Sequence, residues 1–148
     1  MPSHSKPEAV LFDLDGTLVD TASEFVTVVQ QMRRARNLEE LADQSIQSVV
    51  SDGAAGLIAL AFNCTPGMPG FDELRDEFLN AYEDQLGSSA QPYEGFRVLL
   101  QELSLQRIPW GVVTNKMRRF AEPLMTAMAF APPANALVTP CEVTQPKP

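Results

Sequence analysis

The sequence predicts an α/β fold with a parallel, doubly wound sheet that is interrupted early by a helical insert. Two short runs, residues 9–12 and 110–113, have the continuous apolar character of strands covered on both faces. Helical patterns separate these runs, and strands that alternate with helices favour a parallel sheet. A third short strand is predicted at residues 136–138.

The helices are predicted from apolar side chains that recur on one face. A capping-box pattern at residues 21–24 starts the first helix, which we expect to reach about residue 36. Its stripe has the spacing i, i+3, i+4, i+7 and consists of Phe25, Val28, Val29 and Met32. Further helical patterns lie at residues 46–50, 54–62, 72–86, 96–103 and 121–128, and the proline-rich segment 140–148 is expected to be irregular.

These patterns divide the 148 residues into a core and an insert. Residues 1–19 and 91–148 are predicted to form a partial core around the sheet, and residues 20–90 a helical cap inserted after the first strand. Polar residues follow the strands at the edge where open α/β sheets bind ligands.

Composition excludes several classes of function. The net charge is −8 and the basic clusters are short, so we expect no nucleic-acid partner. No run of about 18 apolar residues and no apolar signal core is present, which predicts a cytoplasmic protein without a membrane partner. The lone histidine, His4, makes histidine-dependent triads poor candidates.

The strongest chemical signal is the acidic segment after the first strand, Asp13-Leu14-Asp15-Gly16-Thr17. Residues i and i+2 of an extended segment point the same way, so both carboxylates can face one site. Such close carboxylates repel each other unless a cation or a proton is present. Mg²⁺ is the cation that suits such a pair of carboxylates. The alternative interpretation is that the segment is an ordinary Asp-Gly turn without a metal.

A second signal follows the strand at residues 110–113, where Thr114, Asn115 and Lys116 stand in sequence. A hydroxyl and nearby backbone N–H groups can stabilise negative charge on a ligand, and Lys116 adds positive charge. The alternative is that Thr114 or Asn115 simply caps the next helix. Arg118 and Arg119 are interpreted as a solvated start of that helix.

These segments resemble motifs I and II of the haloacid dehalogenase superfamily, and Lys147, followed by Pro148, resembles its motif III lysine. The segments around residues 19–21, 92–95 and 110–116 are similar to phosphoglycolate phosphatase-like enzymes and to the neighbouring bacterial N-acetylmuramic acid 6-phosphate phosphatases. The resemblance implies an α/β core, a cap domain, a Mg²⁺ cofactor and a small phosphorylated metabolite as substrate.

The resemblance also implies roles for single residues. Asp13 would attack phosphorus to form an aspartyl phosphate, and Asp15 would protonate the leaving alkoxide and then activate water. Both would contribute to the Mg²⁺ site. The groups implied around the phosphate are Gly16, Thr17, Thr114, Asn115, Lys116 and, between nucleophile and phosphate, Lys147.

The expected function is therefore hydrolysis of a phosphomonoester such as phosphoglycolate or a sugar phosphate. Dehalogenases of the superfamily typically lack an acid at the position of Asp15, because a halide leaves without a proton. A phosphosugar mutase of the same fold and a catalytically inactive interaction module remain open as alternatives.

The sequence departs from the family in one respect, because no acidic motif IV follows Lys147. We therefore expect a C-terminally truncated form with weak metal binding and little activity. Without the motif IV strand, the strand at residues 9–12 would form an open apolar edge, and self-association through that edge is expected.

Overall fold

The structure, a computed structural model, describes residues 5–144 and contains two compact units. Within the described range, the first unit comprises residues 5–20 and 91–144, and the second unit is Thr21–Ala90. We call them the sheet unit and the helical unit.

The strands all belong to the sheet unit, and the helices are shared between the two units. The strands are β1 (Val10–Phe12), β2 (Val19–Asp20), β3 (Gln91–Pro92), β4 (Trp110–Val113) and β5 (Ala136–Val138). The helices of the helical unit are α1 (Ala22–Arg34), α2 (Asp43–Gln47), α3 (Gly53–Phe62) and α4 (Phe71–Gln85), with a 3₁₀ turn at Val50–Asp52. The sheet unit contains α5 (Phe96–Leu105), α6 (Arg118–Met128) and a 3₁₀ turn at Pro140–Glu142.

The main sheet has the order β1-β4-β5 in the part of the chain that the structure describes, and all its strands are parallel. Phe12 lies opposite Val112, and Val113 lies opposite Val138. The predicted α/β fold with a parallel sheet is confirmed. Among residues 5–144, β1 pairs with β4 alone in this sheet, and its Leu11 side chain is 62% exposed.

A second, antiparallel pair joins β2 and β3, with Val19 opposite Pro92. The backbone N–H of Tyr93 extends this ladder by donating to the carbonyl of Leu18 at 3.2 Å. Sequence reasoning missed the pair, because two-residue strands show no hydrophobic period. The β2–β3 pair connects residues 19–20, which follow the acidic segment, to residues 91–92, where the second part of the sheet unit begins.

The core of the sheet unit is centred on Trp110, which is almost completely buried. Its ring meets Phe12 and Phe130 edge to face, with centroid distances of 6.0 and 5.7 Å. The indole N–H donates to the carbonyl of Pro132 at 3.2 Å, so the buried polar group is satisfied. This packing fixes β4, the strand that leads into Thr114.

Three nearly parallel aromatic rings pack together in the core of the helical unit. Phe25 stacks on Tyr82 with centroids 4.5 Å apart and on Phe78 at 6.2 Å. The apolar stripe predicted for α1 lines the same core, and Val28, Val29 and Met32 are buried. Packing of an amphipathic face, rather than helix propensity, stabilises helices of this length.

The predicted capping box at residues 21–24 is wrong. Thr21 is the N-cap residue of α1 but makes no capping bond through its side chain. The carboxylate of Glu24 is fully buried, and its Oε1 accepts the backbone N–H groups of Ser89 at 3.2 Å and Ala90 at 3.0 Å. Glu24 therefore joins the first and last segments of the helical unit instead of capping α1.

Several boundaries differ from the predicted ones, and the helix predicted at residues 46–50 lies at Asp43–Gln47, followed by the 3₁₀ turn at Val50–Asp52. α1 ends at Arg34, two residues earlier than expected, and residues 140–142 form a turn where an irregular segment was expected. None of the helices within residues 5–144 has the length and apolarity needed to cross a membrane.

Candidate active site

The two groups of polar residues predicted from the sequence emerge at one edge of the sheet. Asp13 directly follows β1 and Thr114 directly follows β4, and these strands are parallel neighbours. Phe12 is paired with Val112, so β1 and β4 end at nearly the same position along the sheet. The segments that begin at Asp13 and Thr114 therefore leave the sheet close to the same edge. This is the carboxyl edge at which open α/β sheets bind ligands.

A tight turn shapes the acidic segment. The carbonyl of Leu14 accepts the N–H groups of Thr17 at 3.3 Å, Leu18 at 3.1 Å and Val19 at 3.1 Å. Gly16 has a φ of 76°, a backbone conformation that residues with a Cβ rarely adopt. Its N–H donates to the carbonyl of Val19 at 3.0 Å. Leu14 and Leu18 are fully buried beneath the turn. The turn thus leaves Gly16 and Thr17 exposed.

Asp13, the predicted nucleophile, is half-buried at the end of β1. Its Oδ1 accepts the backbone N–H of Leu14 at 2.8 Å. This bond restricts rotation of the carboxyl group.

Asp15 and Lys116 form an ion pair that joins the two loops. Nζ of Lys116 lies 2.9 Å from Oδ1 of Asp15, although 101 positions separate the residues in sequence. The lysine side chain is only 7% exposed and the aspartate side chain 28%. Lys116 was predicted as a phosphate-binding residue, and the structure places its ammonium on a candidate catalytic acid.

Thr114 is buried and held from both sides. Its N–H donates to the carbonyl of Val138 at 3.0 Å, and its Oγ1 accepts the N–H of Lys116 at 3.0 Å. The alternative role as helix N-cap is excluded, since α6 begins at Arg118 with Met117 as its N-cap residue. Asn115, between them, is exposed at the tip of this turn.

The segment after β5 is fastened by Glu142. One carboxylate oxygen accepts the hydroxyl and the N–H of Thr139, each at 2.6 Å, and the other accepts Nε of Arg118 at 2.7 Å. The Thr139 hydrogen bonds, and then Arg118, lower the pKa of Glu142 to about 2. Arg118 starts α6 and is partly solvated as predicted, with a side chain 36% exposed, but it also binds Glu142, which we did not predict.

Sequence reasoning missed this cluster, although Thr139 and Glu142 have the Ser/Thr-x-x-Glu spacing of a capping box. The predicted motif III residue, Lys147, lies outside the described residues. The Glu142 cluster holds the segment that leads towards it.

The acidic groups at the site suit Mg²⁺ as a ligand set. Within residues 5–144, no group of three or more His, Cys, Asp or Glu side chains is arranged to hold a metal ion. Asp13 can offer its carboxylate and Asp15 its backbone carbonyl, since the Asp15 carboxyl group is paired with Lys116. Mg²⁺ is commonly bound by one or two carboxylates and completes its shell with water and substrate phosphate oxygens, so the residues present fit it.

A parallel sheet with paired acids after one strand and a buried threonine after its neighbour defines an α/β protein with a polar site at the carboxyl edge of its sheet. Residues 10–148 match the family model described as haloacid dehalogenase-like hydrolase. The chain belongs to this family.

Curated relatives extend the match in sequence. The chain is 43% identical over 141 residues to an N-acetylmuramic acid 6-phosphate phosphatase of Pseudomonas aeruginosa, an alignment that covers 95% of this chain and 62% of that protein. It is 37% identical over 124 residues to a phosphoglycolate phosphatase of Xanthomonas campestris, covering 84% of this chain and 56% of that protein. The chain thus spans about 60% of the length of such relatives.

Solved structures share the fold. A predicted phosphoglycolate phosphatase from Haemophilus somnus superposes with a TM-score of 0.79 at 22% identity, covering 95% of this chain and 66% of that one. A haloacid dehalogenase-like hydrolase from Bacteroides fragilis gives a TM-score of 0.78 at 18% identity, covering 97% and 68%.

Proposed function

We propose that this chain carries the catalytic core of a phosphatase that hydrolyses small phosphate monoesters, with Asp13 as the nucleophile. The observation that carries the proposal is the register of β1 and β4, which brings Asp13 and Thr114 to one edge of the sheet. Membership of the hydrolase family supports the same chemistry.

In the first proposed step, a carboxylate oxygen of Asp13 attacks the phosphorus of the ester. The bond between phosphorus and the ester oxygen breaks, and that oxygen takes the proton of the Asp15 carboxyl group. The products are an alcohol and an aspartyl phosphate on Asp13. Protonation matters because an alkoxide is a poor leaving group.

In the second step, the oxygen of a water molecule attacks the phosphorus of the aspartyl phosphate. Asp15, now a carboxylate, takes a proton from the water, and the bond from phosphorus to Asp13 breaks. Inorganic phosphate leaves, and both aspartates return to their starting states.

The remaining predicted residues would surround the phosphate. Thr114 would donate its hydroxyl to a phosphoryl oxygen. Gly16, Thr17, Asn115 and Lys116 would line the phosphate through the two turns, in which the N–H groups of Gly16, Thr17 and Lys116 are already bonded to Val19, Leu14 and Thr114. Lys147 would neutralise charge between the nucleophile and the phosphate. The carboxylate of Asp13 and the backbone carbonyl of Asp15 would hold Mg²⁺, which when bound would screen the repulsion between carboxylate and phosphate.

We also propose a domain assignment and a substrate class. Residues 1–19 and 91–148 form the catalytic core, and residues 20–90 form the cap that selects the substrate. The names of the relatives favour a sugar phosphate of the N-acetylmuramic acid 6-phosphate type over phosphoglycolate, because the first relationship is stronger in identity and coverage. We place the protein in the cytoplasm.

Self-association is proposed through β1. Its outer edge has no strand partner among residues 5–144, and Leu11 is 62% exposed beside it. An open strand edge with an apolar side chain favours pairing with a second copy. Light scattering should show dimers that dissociate in a Leu11→Lys variant, whereas a monomeric wild-type chain contradicts this proposal.

The function is tested by phosphate release from N-acetylmuramic acid 6-phosphate, from phosphoglycolate and from a nitrophenyl phosphate, with and without Mg²⁺. We expect release by the wild-type chain to be abolished in Asp13→Asn. It should persist in Asp84→Asn, a matched loss of one exposed negative charge in the helical unit. Equal rates for wild type and Asp13→Asn would overturn the proposal, and an isomerised sugar phosphate without free phosphate would identify a mutase.

A further inference from the structure

The ion pair between Lys116 and Asp15 is unusual in its burial. A lysine side chain normally keeps its ammonium group in water, but here only 7% of the side chain is exposed. A buried charge is destabilising unless it is paired, and the carboxylate 2.9 Å away provides the pairing. The contact is therefore part of the architecture of the site and not a transient surface pair.

Both partners are attached to rigid supports. The base of the Lys116 side chain is fixed by the bond from its N–H to Oγ1 of Thr114, whose own N–H is bound to Val138 of the next strand. On the opposite side, Asp15 lies in the turn organised by the carbonyl of Leu14. Neither backbone can shift easily, so the contact fixes the direction in which the Asp15 carboxyl group points.

We propose that Lys116 is a positioning residue for Asp15 and orients the carboxyl group that exchanges protons with the leaving oxygen and with water. This inference rests on the proposed phosphatase function. A general acid must lie within hydrogen-bond reach of the atom that it protonates, and a misplacement of about 1 Å can lower a rate by about 10²-fold. Direct binding of the phosphate by Lys116 is the competing role, since an ammonium group has three N–H donors.

The two roles differ in how they depend on the leaving group. An alkyl ester must have its leaving oxygen protonated, whereas a nitrophenolate leaves readily without a proton. If Lys116 positions Asp15, Lys116→Met lowers the rate of alcohol release from the alkyl ester in a single turnover by about 10- to 100-fold, and the rate of nitrophenol release by no more than about 3-fold. Single turnovers isolate the first step, because the later hydrolysis of the aspartyl phosphate is common to both esters. Equal losses for both esters in this step, or a KM increase shared by both, would overturn the inference in favour of phosphate binding.

Two comparisons separate this effect from a general structural one. Arg118→Met removes a neighbouring ion pair at the start of α6, and we expect the ratio of alkyl to aryl turnover to stay unchanged. In an Asp15→Asn background, Lys116→Met should leave the ratio unchanged as well, because the group through which it acts is already lost. A further loss confined to the alkyl ester in that background contradicts the proposal.

The contact can also be measured without turnover. Unfolding of the metal-free wild-type chain, Asp15→Asn, Lys116→Met and the double variant forms a double-mutant cycle, and a coupling different from zero is expected. Zero coupling overturns the inference. If Lys116→Met does not fold, Lys116→Arg keeps the charge but moves the donors, and the same loss confined to the alkyl ester is expected.

Failure of the inference is distinguishable from failure of the proposed function. A wild-type chain that is active and loses activity in Asp13→Asn, but whose ester ratio does not change in Lys116→Met, contradicts the inference alone. A wild-type chain with no activity above Asp13→Asn contradicts the proposed function and, with it, the positioning role.

Discussion

The sheet unit and the helical unit differ in where their ion pairs lie. In the sheet unit, the ion pairs lie just beyond the ends of the parallel strands: Lys116 binds Asp15, and Arg118 binds Glu142. In the helical unit, the centre is a stack of aromatic rings, and the ion pair of Arg36 with Glu77 lies at the surface. The sheet unit thus has ion pairs at the ends of its strands, whereas the core of the helical unit is mainly apolar.

This difference predicts how substitutions divide between activity and stability. Asp13 and Asp15 should affect turnover more than unfolding, because the proposed reaction depends on the direction of their carboxyl groups. Apolar residues of the helical unit should affect unfolding first. A substitution that violates this division would show that the two units are not specialised in this way.

The largest expected effect on stability comes from Phe78, which is almost completely buried and stacks on Phe25. Phe78→Ala should lower the free energy of unfolding by about 3–5 kcal/mol, because it removes a ring and leaves a cavity. Phe78→Leu is the milder control. Denaturant unfolding measures both, and a loss below about 1 kcal/mol for Phe78→Ala would contradict a closed aromatic core.

Glu24 tests the one buried carboxylate of the helical unit. Glu24→Ala leaves the N–H groups of Ser89 and Ala90 without their acceptor, and we expect a loss of about 1–3 kcal/mol in unfolding free energy. Glu24→Gln keeps an acceptor oxygen and should lose less. If alanine and glutamine cause equal losses, the two backbone bonds do not account for the role of Glu24.

Glu142 sharpens the comparison through pH. Its pKa falls from 4.5 to about 2, so its stabilising contribution is present above pH 4.5 and is lost as the pH falls from there towards 2. The Tm difference between wild type and Glu142→Gln should therefore be full at neutral pH and vanish near pH 2. A difference that does not change with pH would show that the carboxylate charge is not responsible.

The smallest effect is expected for Arg36 and Glu77, whose side chains are 35% and 45% exposed. The hydrogen bond from Arg36 lowers the pKa of Glu77, but solvent screens the pair. Glu77→Gln should lower the unfolding free energy by no more than about 1 kcal/mol, and less in high salt. A larger loss that is insensitive to salt would contradict this interpretation as a surface pair.

The sequence could predict features that depend on local patterns, but not those that depend on long-range polar contacts. β4 and β5 were predicted at their observed bounds, because continuous apolar runs identify buried strands. Two Ser/Thr-x-x-Glu patterns had opposite outcomes: the one at Thr21 makes no capping box, and the one at Thr139 does. A local pattern cannot reveal that the Glu24 carboxylate is taken by backbone groups more than 60 positions away.

For the site, the sequence placed Asp13 and Thr114 directly after strands, since both follow recognisable apolar runs, and the structure shows that these strands are neighbours. The sequence did not predict the partner of Lys116, because the pair depends on the register between β1 and β4 and on a side chain 101 positions away. Long-range polar contacts of this kind have no signal in a single sequence.

The central claim is that Asp13 becomes covalently phosphorylated. The most direct test is to quench a reaction with acid during turnover and to locate the phosphoryl group by peptide mass spectrometry. We predict one phosphoryl group on the peptide that contains Asp13 and none in Asp13→Asn. Release of inorganic phosphate by the wild-type chain with the phosphoryl group on a different residue, or undiminished release by Asp13→Asn, would contradict the account.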